Sequence, residues 1–204
     1  MSTPPDLPAE LLQRQLFRYA ADLEELLSQQ SKLMLSQHEA ASPELSELAF
    51  HDPLTGLPNR RLLESRLGQA VAEAGRKGAG LGVLHISGNL GREATDSYVL
   101  EVSRRLQAAV RPGDLVARVD SDEFVVLLAN VDSEEVINGI ISFLLYSVDT
   151  PIHSGGRAVH VNLSVGASRF PSDGHDKIAL LERAQSAMAC AKRLSERYAL
   201  WKAD

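Results

Sequence analysis

Three carboxylates crowd into the four residues Asp120-Ser121-Asp122-Glu123, between the apolar stretches Leu115–Val119 and Phe124–Leu128. Two strand-like runs around a polar knot predict a β-hairpin whose tip offers its acids to a metal ion or a phosphate. Just upstream, Arg111-Pro112-Gly113-Asp114 sets a guanidinium and a carboxylate on one turn, with Pro-Gly at its centre. An arginine fork can donate to two acceptors of a ligand at once, and a carboxylate can accept from N–H groups. Without a ligand, the same turn would hold an exposed ion pair worth about 0–1 kcal/mol. His51, His85, His153, His160 and His175 show no metal-ligand spacing, and His85 falls on a predicted core strand. Neither a Gly-rich P-loop nor a nucleophile elbow is present.

The elements that must position these groups follow from pattern. The Asp52–Asn59 segment reads as a turn stabilised by those two side chains. A helix is predicted near 59–76, a strand at 81–87 and a helix near 93–110. The hairpin at 115–128 follows, then a helix near 133–146, a strand near 159–168 and a last helix near 176–198. A tight hairpin requires antiparallel pairing, so the class is α+β: a mainly antiparallel sheet with surrounding helices.

An N-terminal helix precedes this domain. Leu12, Leu16, Tyr19, Leu23, Leu26, Gln30 and Leu33 follow a 4-3 spacing, the seam of a coiled coil with one polar occupant. That seam predicts a homodimer; an amphipathic helix lying on its own domain is the alternative. Ala40-Ala41-Ser42-Pro43 breaks the pattern, with Ser42 as N-cap of a short helix reaching Phe50. The expected division is therefore 1–41, an N-terminal helical or coiled-coil segment, and 42–204, the globular domain.

A net charge of −6 argues against a nucleic-acid binder, which would need a basic face. No apolar run approaches the roughly 18 residues that span a bilayer, and the N-terminus lacks a basic-then-apolar secretion signal. Cys190 is the single cysteine, so no internal disulfide can form. A cytoplasmic protein without membrane association is expected.

The run from Arg111 to Leu128 resembles the central hairpin of the GGDEF family, the diguanylate cyclases that join two GTP molecules into cyclic di-GMP. Three further stretches are similar to family landmarks in the same order. They are His51-Asp52-Pro53-Leu54-Thr55-Gly56-Leu57-Pro58-Asn59-Arg60-Arg61, the strand Asn162 to Pro171, and the helix Leu180 to Lys192. Together they cover about residues 50–198. The resemblance implies a nucleotidyl cyclase-like fold of the ferredoxin-like, palm type.

The family's naming glycines are Asp120 and Ser121 here. The resemblance assigns one metal carboxylate to Asp122 and a reaction-centre role to Glu123. It places a second metal carboxylate at the end of the strand, where the chain reads Val83-Leu84-His85-Ile86-Ser87. A serine hydroxyl cannot replace a carboxylate in holding Mg²⁺. Asp96 matches a guanine-contacting acid and Lys192 a phosphate-binding lysine; the arginine expected four residues later is Glu196, with Arg193 and Arg197 nearby. Between strand and helix, Gly88 to Asp96 is about eight residues shorter than the family connection. Asp120 also brings a negative side chain towards the triphosphate.

The expectation is a catalytically inactive domain acting in cyclic di-GMP signalling as a regulatory or effector module. No catalytic residue, metal or other cofactor is expected, with Asp122 and Glu123 as remnants of the cyclase site and Asp96 and Lys192 as remnants of a GTP site. Arg111 and Asp114 fit the family's RxxD inhibitory site, where cyclic di-GMP docks. The helix after the hairpin, Asp132 to Tyr146, contains no lysine or arginine to assist them. A protein-interaction scaffold and a divergent, Mg²⁺-dependent cyclase are the alternatives.

Overall fold

Leu81–Gly88 is buried at every position, the signature of a strand covered on both faces, and the sheet is built outward from it. The computed structural model describes residues 49–88, 95–154 and 157–202. The coiled-coil seam at 12–33, nearly all of the short helix before Phe50 and the 89–94 connection lie outside the described residues.

The elements run α1 (Arg60–Lys77), β1 (Leu81–Gly88), α2 (Asp96–Ala109), β2 (Leu115–Arg118), β3 (Glu123–Ala129) and α3 (Glu134–Val148). A small hairpin follows, β4 (Ile152–Ser154) with β5 (Arg157–Val159). Then come β6 (Leu163–Phe170), α4 (Lys177–Leu194) and β7 (Tyr198–Leu200). The main sheet has five strands in the order β2-β3-β1-β6-β7, and only β6 and β7 pair in parallel. The fold is α+β with a mostly antiparallel sheet, as expected from the hairpin.

Side chains alternate across each strand, and the two faces carry different partners. Leu84, Ile86, Phe124, Val126 and Val165 join Val102 and Leu106 of α2 and Ile137, Ile141 and Leu144 of α3 in one apolar cluster. Val83, Val125 and Ala117 meet Leu63 and Leu67 of α1 and Leu180 and Ala184 of α4 in a second. His85 and Ser87 share the second face with Val83. There Gly166, the cross-strand partner of His85, lies against α4. A Cβ at Gly166 would sit 2.0 Å from the Met188 nitrogen, so this contact admits only glycine.

Local chemistry sets the helix ends. Asn59, Ser133 and Asp176 accept hydrogen bonds from first-turn N–H groups of α1, α3 and α4. Gly78 closes α1 with φ 66°.

Three boundaries differ from the sequence reading. The last helix stops at Leu194, where Ser195 takes φ 58°, and Tyr198–Leu200 becomes a strand. Apolar spacing carried the helix onward; pairing with β6 is a tertiary choice that periodicity does not contain. The strand expected near 159 begins at Leu163, because β4 and β5 occupy the preceding residues. The second helix starts at Asp96 within the described residues.

Candidate functional site

The hairpin tip is anchored from behind. Arg118, on β2, donates through Nη1 to Asp52 Oδ1 at 2.9 Å and Oδ2 at 3.1 Å, and through Nη2 to the Ser121 carbonyl at 2.8 Å. Its backbone N–H donates to the Pro58 carbonyl. Asp52 Oδ1 also accepts from the Thr55 hydroxyl and N–H. Burial raises the Asp52 pKa, but the Thr55 bonds and the Arg118 guanidinium outweigh it and hold the carboxyl below its ordinary range. The 51–59 turn and the hairpin thus form one polar unit. Beside it lies an open cleft of about 460 Å³ lined by Arg60, Arg61, Arg118 and Asp120 among others.

At the tip the backbone differs from the glycine-dependent expectation. Val119 and Asp120 both donate to the Glu123 carbonyl, at 2.9 and 3.3 Å. The Asp120 side chain accepts from Ser121 N–H at 2.7 Å. The only described non-glycine residues with positive φ are Asn130 and Ser195, so Asp120 and Ser121 occupy ordinary L-residue conformations. Asp122 connects the tip to β1 through its carbonyl, which accepts from Gly88 N–H at 2.8 Å.

His85 reverses the role it had in the sequence. Rather than an inert core residue, it presents Nε2 to Glu123 Oε2 at 2.9 Å, and its ring is almost wholly buried. Against an ionised carboxylate, Nε2 must carry the proton; Nδ1 is buried without a partner. Ser87 is the backbone partner of Glu123 across the sheet, but the side chain that reaches the carboxylate is His85. Lys192, from α4, lies with Nζ 3.5 Å from Ser87 Oγ, the outer limit of a hydrogen bond. The structure therefore brings His85, Ser87, Glu123 and Lys192 together under one end of α4.

This donor set does not fit a Mg²⁺ site built on two carboxylates. Glu123 already bonds an imidazole, β1 supplies no second carboxylate, and an ammonium group stands over Ser87. Among the described residues no group of three His, Cys, Asp or Glu side chains could hold a metal ion.

The remaining residues are placed separately. Asp96 is exposed on the first turn of α2. Arg197 donates to Asp149 Oδ1 at 3.2 Å, which commits it to the end of α3, and Arg193 lies against Cys190 Sγ at 3.6 Å. In the Arg111 turn, Asp114 Oδ1 accepts from Ala129 N–H at 3.0 Å and Oδ2 from Arg111 N–H at 3.1 Å. The anticipated ion pair does not form: the carboxylate braces the backbone, and the exposed Arg111 guanidinium bonds no described residue.

A five-stranded α+β domain whose acidic hairpin pairs with β1, beneath a helix that brings Lys192 to the end of that strand, defines a nucleotidyl cyclase-like protein. The family model described as Diguanylate cyclase, GGDEF domain, matches residues 49–197. The chain belongs to this family. It is 37% identical over 184 residues to the diguanylate cyclase TpbB of Pseudomonas aeruginosa, covering 86% of this chain and 41% of that protein. It is 31% identical to MucR of the same species, named a bifunctional diguanylate cyclase and cyclic di-GMP phosphodiesterase, covering 83% of this chain and 26% of MucR. A solved structure of the TpbB GGDEF domain superposes with TM-score 0.71 at 34% identity, over 74% of this chain and 94% of that one. The chain thus spans less than half the length of the curated relatives it matches. No described helix is long and apolar enough to cross a membrane.

Proposed function

We propose that this chain is a GGDEF domain that works in cyclic di-GMP signalling by binding rather than by turnover. The observation that carries this reading is the His85–Glu123 pair, which commits the reaction-centre carboxylate to an imidazole. Phosphodiester formation from GTP requires cations to activate a hydroxyl and to neutralise the triphosphate. Lys192 supplies an ammonium group and His85 a hydrogen-bond donor at that place, but they cannot deprotonate and orient a 3′-hydroxyl as two metals do. Asp120 adds a negative charge where glycine would admit phosphate.

Cyclic di-GMP is proposed to dock at Arg111 and Asp114. Support comes from the guanidinium of Arg111, exposed and unpaired in a turn that Asp114 holds rigid. Self-association through the 12–33 seam belongs to the same proposal: the domain would act as a ligand-sensing module on a dimeric stalk.

A divergent active cyclase is the second reading. It is favoured by the naming of TpbB as a diguanylate cyclase and by the retention of Asp122 and Glu123. Purified protein incubated with GTP and Mg²⁺ or Mn²⁺ separates the two. Chromatography is expected to show no cyclic di-GMP above a boiled control, whereas product lost on Glu123→Gln would establish the cyclase.

A further inference from the structure

The outward face of α3 carries apolar side chains that no described residue covers. Val136, Phe143 and Tyr146 are 38%, 57% and 78% exposed. With Gly139 they fall at a 3-4-3 spacing, which is one helix face. A Cβ built at Gly139 meets nothing within 4 Å. A glycine inside a helix costs about 1 kcal/mol relative to alanine, and the packing within the domain gives no reason for it. A side chain from outside, seated over Gly139, would.

The stripe is also polar from end to end. Glu134 and Glu135 occupy its first turn, and residues 130–149 contain no lysine or arginine. At its other end α2 supplies the basic groups. Arg105 donates to the carbonyls of Val148 and Thr150. With Arg104, Ala108, Ser147, Thr150 and Pro151 it lines a cleft of about 410 Å³. Glu101 pairs with both arginines, which leaves one positive charge in excess.

We propose that a second copy of this chain docks antiparallel on α3, about a two-fold axis near Ile141. A two-fold interface must be self-complementary, and a stripe acidic at one end and basic at the other meets that condition. In this arrangement Phe143 of one copy sits over Gly139 of its partner and Val136 packs against Tyr146. Glu135 reaches the cleft beside Arg104. The contact is independent of the 12–33 seam and of any nucleotide.

Cross-linking of the full chain tests it. Ser142, exposed beside the axis, is changed to cysteine in a Cys190→Ser background and mildly oxidised at micromolar concentration. A disulfide-linked dimer is expected on non-reducing gels. Adding Phe143→Glu is expected to lower its yield about tenfold or more, as loss of a central apolar anchor does. Glu135→Arg is expected to weaken it, and Arg104→Glu in the same chain to restore it. An Ile178→Cys control, exposed on α4, reports dimers formed merely because a stalk holds two copies near each other. No dimer from Ser142→Cys, a yield indifferent to Phe143→Glu, or equal linkage from Ile178→Cys would each overturn the proposal.

Discussion

The hairpin tip and the Arg111 turn lie at opposite ends of β2 and use the same residue types to opposite effect. At the tip Arg118 is answered by Asp52 and Glu123 by His85. In the turn Asp114 spends both carboxylate oxygens on backbone N–H groups and leaves Arg111 without a partner. A charge already paired in a partly buried place must lose that partner before it can serve a ligand. An exposed cation on a braced turn need not. Binding capacity is therefore expected at the turn and not at the tip.

Breaking the tip's internal pairing is expected to have the largest effect. Arg118→Ala leaves Asp52 with no cationic partner in a mostly buried position. It should destabilise the domain by about 3 kcal/mol, measured as a shift of the denaturation midpoint at unchanged slope. The Arg111 turn does not contact this pair, so cyclic di-GMP binding by the folded variant should persist. Equal loss of binding would couple two regions held here to be independent.

Replacing the imidazole sharpens the contrast more selectively. His85→Asp places a second carboxylate beside Glu123, where like charges oppose each other until a cation arrives. Mn²⁺ in about hundredfold excess over its dissociation constant should then stabilise the variant by about 2.7 kcal/mol, seen as a rise in melting temperature. The wild type should not respond. A wild-type response equal to the variant's would mean that His85 does not displace the metal.

The smallest effect belongs to the residues that depart most visibly from the family motif. Asp120→Gly with Ser121→Gly removes one negative charge, but neither position uses positive φ. The glycines relieve no strain and raise unfolded-chain entropy, so stability should fall by about 0.4–1 kcal/mol per site. Cyclic di-GMP synthesis should remain absent, because His85 still holds Glu123. Synthesis by this variant would locate the defect in the two glycine positions alone.

Much of the scaffold was legible because it rests on local chemistry. Asn59 and Gly78 bracket α1 within a residue of its predicted limits, and the runs around Asp120–Glu123 do form the hairpin. β7 was hidden because three residues after a basic helix end carry no strand period and pair only through β6. The candidate site was legible as an inventory and not as an arrangement. His85 looked inert on a strand of apolar neighbours, since its partner lies 38 positions away. Arg118 was passed over for the same reason, although an arginine inside a strand demands a carboxylate and Asp52 had been noticed only as a turn residue. Asp114 also braces the backbone where a ligand-free turn was expected to pair it with Arg111, a difference that sequence spacing cannot show.

Calorimetric titration of cyclic di-GMP into the full chain, with Arg111→Ala alongside, tests the contrast between tip and turn most directly. Saturable heat in the wild type that disappears in Arg111→Ala is the expected result. Absence of heat in the wild type, or heat that survives Arg111→Ala, would contradict it.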